Sequence, residues 1–303
     1  TSATSRRDRS TIEDVALAAG VSVATVSRAL RGLPNVAEST RARVQEIAVA
    51  MNYRADPAAS RLATGRSRSV AVAVPLLNGW YFSNVVAGVE AICAEAGYDT
   101  IVIGLGLKGA NHGFIRDCES LNRRADGLIV VDVALPQNEV ETIRAIGLTL
   151  VSVGPVLEGI PSVGIDDIAV GDMATSHLLD LGHRRIGLIG GTTIDPYEFI
   201  VPGLRRHGFE QAHARIGVTP DPELFTIGNF TVQGGYDATL ELLDRDEPPT
   251  AIFAQSDEMA FGAIQAARER RIDIPGDLSV IGVDDHEAAA AMGLTTLHQD
   301  VDQ

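Results

Sequence analysis

Cysteine is scarce in this chain. There are two in 303 residues, Cys93 and Cys118, and their spacing fits neither a disulfide framework nor a zinc site. Both read as reduced thiols. Long apolar runs are missing as well: the longest, residues 70–77, is far short of the roughly 20 residues that a membrane helix needs. No signal-peptide pattern opens the chain, so a cytoplasmic protein without a membrane partner is expected. The seven histidines include no metal spacing such as H-E-x-x-H, and no G-x-S-x-G elbow is present. No catalytic residue, metal or cofactor is therefore expected, and the chain does not read as an enzyme. GLGLKG at 104–109 satisfies G-x-G-x-x-G literally, with Asp126 some way on, but it follows the second strand pattern rather than the first and reads as a loop.

Aromatics are few at 5%, yet the apolar fraction of 45% is ordinary for a globular protein, and 303 residues suit two or three domains. Lysine is absent from residues 1–68, where 11 arginines meet 6 acids for a net +5; residues 69–303 carry 14 basic and 34 acidic groups for −20, and together they give −15. A basic head on an acidic body confines attraction for phosphate to the head. The first ten residues, TSATSRRDRS, have the composition of a disordered arm.

The head carries the clearest pattern, TIEDVALAAGVSVATVSRALRG at 11–32. Thr11 with Asp14 has capping-box spacing, and Ile12, Val15, Ala16 and Ala19 share one helical face. Gly20 stands where the chain must turn, and Ser22 caps a second helix whose Val26, Ala29 and Leu30 point inward. Val23, Ala24, Ser27 and Arg28 are left on the outer face. A helix-turn-helix places the start of its second helix in the major groove, where arginine forks to a guanine edge and methyl groups meet thymine methyls. By spacing alone, an ordinary αα-hairpin fits as well.

The wording DVALAAGVSVATVSRALRG resembles the head of the lactose-repressor/galactose-repressor (LacI/GalR) family of bacterial transcription regulators. That resemblance implies base-reading roles for Val23, Ala24 and Arg28, and phosphate-positioning roles for Ser22, Thr25 and Ser27. A third helix near 38–51, with Val44, Ile47, Ala48 and Met51 on one face and Tyr53 beneath, closes the head. Ala37 stands where the family usually has serine, so an N-cap hydroxyl is missing, with Glu38 or Ser39 offering partial compensation. DPAASRLATG at 56–65 has an N-cap, a proline at the first helical position and strong helix formers, yet is too short to persist alone. It is similar to the family's hinge helix, which folds on DNA. The match puts Leu62 at the minor-groove wedge, flanked by Ala59 and Ala63 as further DNA contacts. The residues alone also fit a plain interdomain linker.

From Ser69 onward, continuous apolar strands at 69–77, 99–104, 127–133, 148–154, 185–191, 250–256 and 279–285 alternate with helical patterns. The helices fall near 82–96, 114–124, 137–146, 169–181, 203–214, 233–244 and 258–271. Such alternation predicts an α/β body of doubly wound parallel sheets. The resemblance makes it two-lobed and periplasmic-binding-protein-like. Expected boundaries are a helix-turn-helix head at 1–55, a hinge at 56–68, a first lobe at 69–181 plus 294–303, and a second lobe at 182–293. The family continues past residue 303 with another helix and a strand.

Ligands in open α/β sheets lie beyond the carboxyl ends of the strands. The resemblance then implies an effector site of Trp80, Tyr81, Phe82, Arg205, Phe230, Ser256 and Asp284. Trp80 and Ser256 depart from the family's usual Asn-Pro-Phe-Phe-like run and Asn-Asp pair. Taken singly, Phe82 and Phe230 also fit a core, Asp284 a helix cap and Arg205 a surface charge. Asp166 and Asp167 read as interlobe turn residues. An acid, an arginine fork and aromatic faces together suit a polyhydroxylated, sugar-like effector. The expected protein is a nucleoid-associated dimeric repressor on a near-palindromic double-stranded operator, released by that effector. The alternatives are a corepressor-dependent regulator and a solute-binding protein with no DNA role.

Overall fold

The computed structural model describes residues 10–53, 66–105, 118–192 and 199–301, with side chains at 118 and 119 excepted. Two compact units divide the chain, residues 1–67 and 68–303.

The first unit is three helices, α1 (Ile12–Ala19), α2 (Val23–Leu30) and α3 (Glu38–Ala50). The Thr11 amide donates to Asp14 Oδ2 at 2.8 Å and the Asp14 amide to Thr11 Oγ1 at 3.3 Å, closing the reciprocal cap read from the sequence. The Thr11 amide and hydroxyl, both donating to Asp14 Oδ2, hold that carboxyl below its ordinary pKa. Gly20 ends α1 at φ 62°, a left-handed turn that a side chain would oppose. Val15, Ala16, Ala19, Val26, Ala29, Val44 and Ala48 form the core, with Ile12, Leu30, Ile47, Met51 and Tyr53 packed around it. Ala37 occupies the N-cap of α3 without a side-chain bond, and Glu38 instead pairs with Arg41 at 3.7 Å.

The second unit holds two parallel five-stranded sheets. The first sheet is built from β1 (Ser69–Val74), β2 (Asp99–Gly104), β3 (Gly127–Val131), β4 (Thr149–Val153) and β5 (Ser162–Val163), in the order β2-β1-β3-β4-β5. Helices α4 (Trp80–Glu95), α5 (Cys118–Asn122) and α6 (Gln137–Ala145) connect them. The second sheet has β6 (Ile186–Gly190), β7 (Phe225–Ile227), β8 (Ala251–Ala254), β9 (Ser279–Asp284) and β10 (Thr295–His298), in the order β10-β9-β8-β6-β7. Its helices are α7 (Asp167–Asp180), α8 (Val201–Arg215), α9 (Val232–Leu243), α10 (Asp257–Glu269) and the single turn α11 (Ala289–Met292). Val72, Ala73, Val74, Val130 and Val131 are fully buried, as are Ile252, Phe253 and Ala254, which is why these strands read as unbroken apolar runs.

Two lobe assignments made from the sequence need correction. Helix α7 was expected to close the first lobe, but Val170, Ala174, Leu178 and Leu179 pack with Ile186, Leu188 and Phe209 under the second sheet. The chain therefore crosses at 164–166, before α7. Residues 294–303 were expected to return to the first lobe, yet β10 pairs with β9 through Thr295–Ile281 and Leu297–Val283 in the second sheet. Gly293, at φ 69°, ends α11 in a left-handed turn just before β10.

Helices α7 and α8 cross closely. A methyl group at Gly171 would run into the Arg205 carbonyl, and one at Gly208 into the Ile168 carbonyl. This approach brings the start of α8 against the start of α7, and with it Arg205 against Asp167.

Candidate functional site

In the first unit, the inward residues of α2 leave Val23, Ala24 and Arg28 exposed, with Thr25 and Ser27 half-buried at the margin. The Thr25 amide donates to Ser22 Oγ at 3.1 Å, and the two hydroxyls lie 2.9 Å apart. Ser22 thus caps the helix and fixes the donor-rich N-terminal turn, where the helix dipole favours an anion. Arg41 Nη2 donates to the Leu33 carbonyl at 2.8 Å and Nη1 to the Ala29 carbonyl at 3.2 Å, securing the other end of α2 against α3. The six expected head residues therefore lie on α2 and its N-cap. Ala59, Leu62 and Ala63 lie outside the described residues.

In the second unit, a cavity of about 910 Å³ is lined by residues from both lobes and continues beneath α4 along Val85, Val89 and Ile92. Tyr81, Phe82, Arg205, Phe230, Ser256 and Asp284, six of the seven residues singled out in the sequence, all line it. The aromatic rings form a chain across the two lobes. Tyr81 meets Phe82 at 5.2 Å, Phe82 meets Phe199 at 6.2 Å, and Phe199 meets Phe230 edge-on at 5.2 Å. Burial and the neighbouring Asp132 push the Tyr81 phenol well above its ordinary pKa, so it stays a neutral donor.

Arg205 is buried rather than a surface charge. Its Nε donates to Asp167 Oδ1 at 2.8 Å, with side chains 6% and 8% exposed, and its Nη1 donates to the Gln255 carbonyl at 2.5 Å. Asp167, read as an interlobe turn residue, instead lines the cavity as the partner of this guanidinium, while Asp166 caps α7 through the Ala169 amide at 3.0 Å. Ser256 is the N-cap of α10, its oxygen accepting from the Met259 amide at 3.3 Å. Trp80 does not line the cavity. Its indole N–H donates to Glu287 Oε2 at 2.5 Å, its amide donates to Glu258 Oε2 at 3.3 Å, and its ring lies 5.1 Å from His286. It ties the first lobe to the second.

Acidic groups dominate the polar lining. Asp284, at φ 125° just where β9 ends, accepts from Gln299 Nε2 at 2.5 Å. Burial pushes it up to about 7, with Arg205 opposing. Sequence reasoning missed Asp132, which follows β3 at φ 51° and is 6% exposed. Burial pushes it too up to about 7, Asp167 adding repulsion and Arg205 opposing. Phe199, Glu258 and Gln299 were also missed, and all line the cavity. For Asp132 a signal existed: it stands at the carboxyl end of a buried strand, as Asp284 does. Phe230 sits at φ 56°, so three lining residues hold a left-handed backbone that aims them inward. Such an arrangement suits a small molecule with stacking faces and several hydrogen-bond donors. Among the described residues no cluster of His, Cys, Asp or Glu is placed to hold a metal ion, and no helix is long and apolar enough to cross a membrane.

Comparison with known proteins agrees with both units. The family model for bacterial regulatory proteins, lacI family, matches residues 11–56, and that for a periplasmic binding protein-like domain matches residues 175–303. The chain is 34% identical to the HTH-type transcriptional repressor CytR of Escherichia coli (strain K12), over 90% of this chain and 80% of that one. It is 30% identical to the ribose operon repressor of the same organism, over 97% and 89%. Its fold is similar to that of the lac repressor dimer bound to operator and the anti-inducer ONPF, with a TM-score of 0.82 at 26% identity over 97% of this chain and 88% of that one.

Proposed function

The chain belongs to the lacI family of bacterial regulatory proteins, and on that premise we propose that it is an operator-binding transcriptional repressor governed by a small effector held between its lobes. One observation carries the reading. The same chain presents a capped recognition helix with Val23, Ala24 and Arg28 exposed, and encloses a two-lobe cavity around Arg205 and Asp284.

Arg28 forks to a guanine edge, Val23 and Ala24 meet thymine methyls, and Ser22, Thr25 and Ser27 position phosphates. Two copies of the chain, assembled as in the lac repressor dimer, set two heads on a near-palindrome. Paired hinge segments at its centre place Leu62 as a minor-groove wedge, with Ala59 and Ala63 beside it. In the body, Phe230 and Phe82 face the ligand's carbon skeleton, while Arg205, Asp284 and Asp132 take its hydroxyls. A sugar or sugar derivative fits that set, and the similarity to the ribose operon repressor supports it. The effector shifts the lobes toward a state in which hinge folding on DNA is less favourable, by no more than its difference in affinity for the two states.

The test is selection of bound duplexes from a random pool by the purified protein. A near-palindromic consensus should emerge, and Arg28→Ala should erase the preference at one base pair in each half-site. Uniform recovery of unrelated sequences would leave a body without a sequence-reading head.

A further inference from the structure

The charge of the effector follows from the cleft's polar lining, if the cleft is the effector site as proposed above. Arg205 is the cationic side chain among the lining residues, and its charge is matched by Asp167 at 2.8 Å. Four further carboxylates line the same space, and of these only Asp300, 2.8 Å from His298 Nε2, has a basic side chain in contact. Glu258 takes only the Trp80 amide, and Asp284 only the Gln299 side chain. Asp132 accepts no hydrogen bond from any described residue, although it is 6% exposed and lines the cavity.

A carboxylate buried without a donor is costly, and a protein that keeps one in a cavity implies a donor brought by the ligand. The strained backbone at Asp132 and Asp284 keeps both side chains turned toward that space. An anionic ligand would add a negative charge to a set that Arg205, already matched by Asp167, only partly offsets. A hydroxyl supplies one donor and no charge, whereas an ammonium supplies three donors and a charge. We propose that the cleft selects a polyhydroxylated ligand bearing a basic nitrogen, such as an amino sugar, with the ammonium held by Asp132 and Asp284, and that it rejects phosphorylated or carboxylated analogues.

Calorimetric titration of the full chain with matched sets of hexoses tests this. Each set holds a neutral sugar, its 2-amino-2-deoxy form and its 6-phosphate, in the gluco, galacto and manno series. In the set that binds, the amino member should be about tenfold tighter than its neutral parent, and the phosphate weakest. Asp132→Asn should bring the amino-to-neutral ratio toward one; should that variant fold poorly, the wild-type ratio decides alone. A neutral sugar binding as tightly as its amine, or a phosphate binding most tightly, overturns the charge inference and leaves the cleft reading intact. Absence of binding by every member overturns the cleft reading, and the inference with it.

Discussion

Replacing Arg205 by methionine probes the ion pair on which the cleft floor rests. The guanidinium contacts Asp167 at 2.8 Å and the Gln255 carbonyl at 2.5 Å, both from within the protein. Removing one partner of a buried pair leaves the other charge stranded, a loss of about 3–5 kcal/mol. The orphaned carbonyl adds about 1 kcal/mol. Asp167→Leu should cost a similar amount for the converse reason. The double variant Arg205→Met/Asp167→Leu strands no charge of this pair, so it should lose far less than the sum, with a coupling energy of about 3 kcal/mol. Urea unfolding followed by fluorescence reads the body selectively, because Trp80 is the sole tryptophan. Arg205 also lowers the pKa of Asp132 and Asp284, so the single Arg205 variant should be less damaging below pH 7, where those acids are protonated. Additivity of the two single changes within about 0.5 kcal/mol would refute the pair as a structural unit. Ligand binding should stay lost in the double variant even as stability returns.

Other expected outcomes touch separate parts of the molecule. Burial holds Asp132 and Asp284 up to about 7 and Asp257 up to about 6, well above their ordinary range. The folded protein keeps protons that the unfolded chain releases from about pH 4 upward, so stability should fall as pH rises toward 7 and level off above it. Asp132→Asn should flatten that slope in thermal melts taken between pH 5 and 8, and an unchanged slope would remove Asp132 as its cause. Ala37→Ser should restore a hydroxyl cap on α3 and raise the melting point of the head, by about 1 kcal/mol of stability. Trp80→Phe keeps the ring stacked near His286 but removes the indole donor to Glu287. It should weaken interlobe closure, seen as faster proteolysis between the lobes without ligand, while DNA affinity of the unliganded protein is retained.

Much of the head was legible because its determinants are local. The Thr11–Asp14 box, the turn at Gly20 and the Ser22 cap each lie within a few residues of the helix that they define. The body's strands were legible as apolar runs, but their partners were not. Nothing in LTTLHQ distinguishes an edge strand beside β9 from a segment leaving the sheet, since its half-exposed alternation suits either. Asp132 was hidden inside a strand read as 127–133; its left-handed backbone, which ends the strand and turns the carboxylate inward, is a tertiary outcome. The roles of Trp80 and Asp167 were set by partners 207 and 38 residues away, distances at which no spacing rule operates.

If the proposed repressor works as described, one cavity controls one DNA-reading head. Anisotropy of a labelled duplex, carrying the selected near-palindrome and titrated with the full chain at fixed salt, measures this directly once a ligand that stabilises the body has been found. This ligand should weaken operator affinity, and Asp284→Asn should abolish the effect without altering affinity in its absence. Tighter binding with ligand would contradict release by the effector and make the cleft a corepressor site. An operator affinity indifferent to a ligand that demonstrably stabilises the body would contradict the coupling itself.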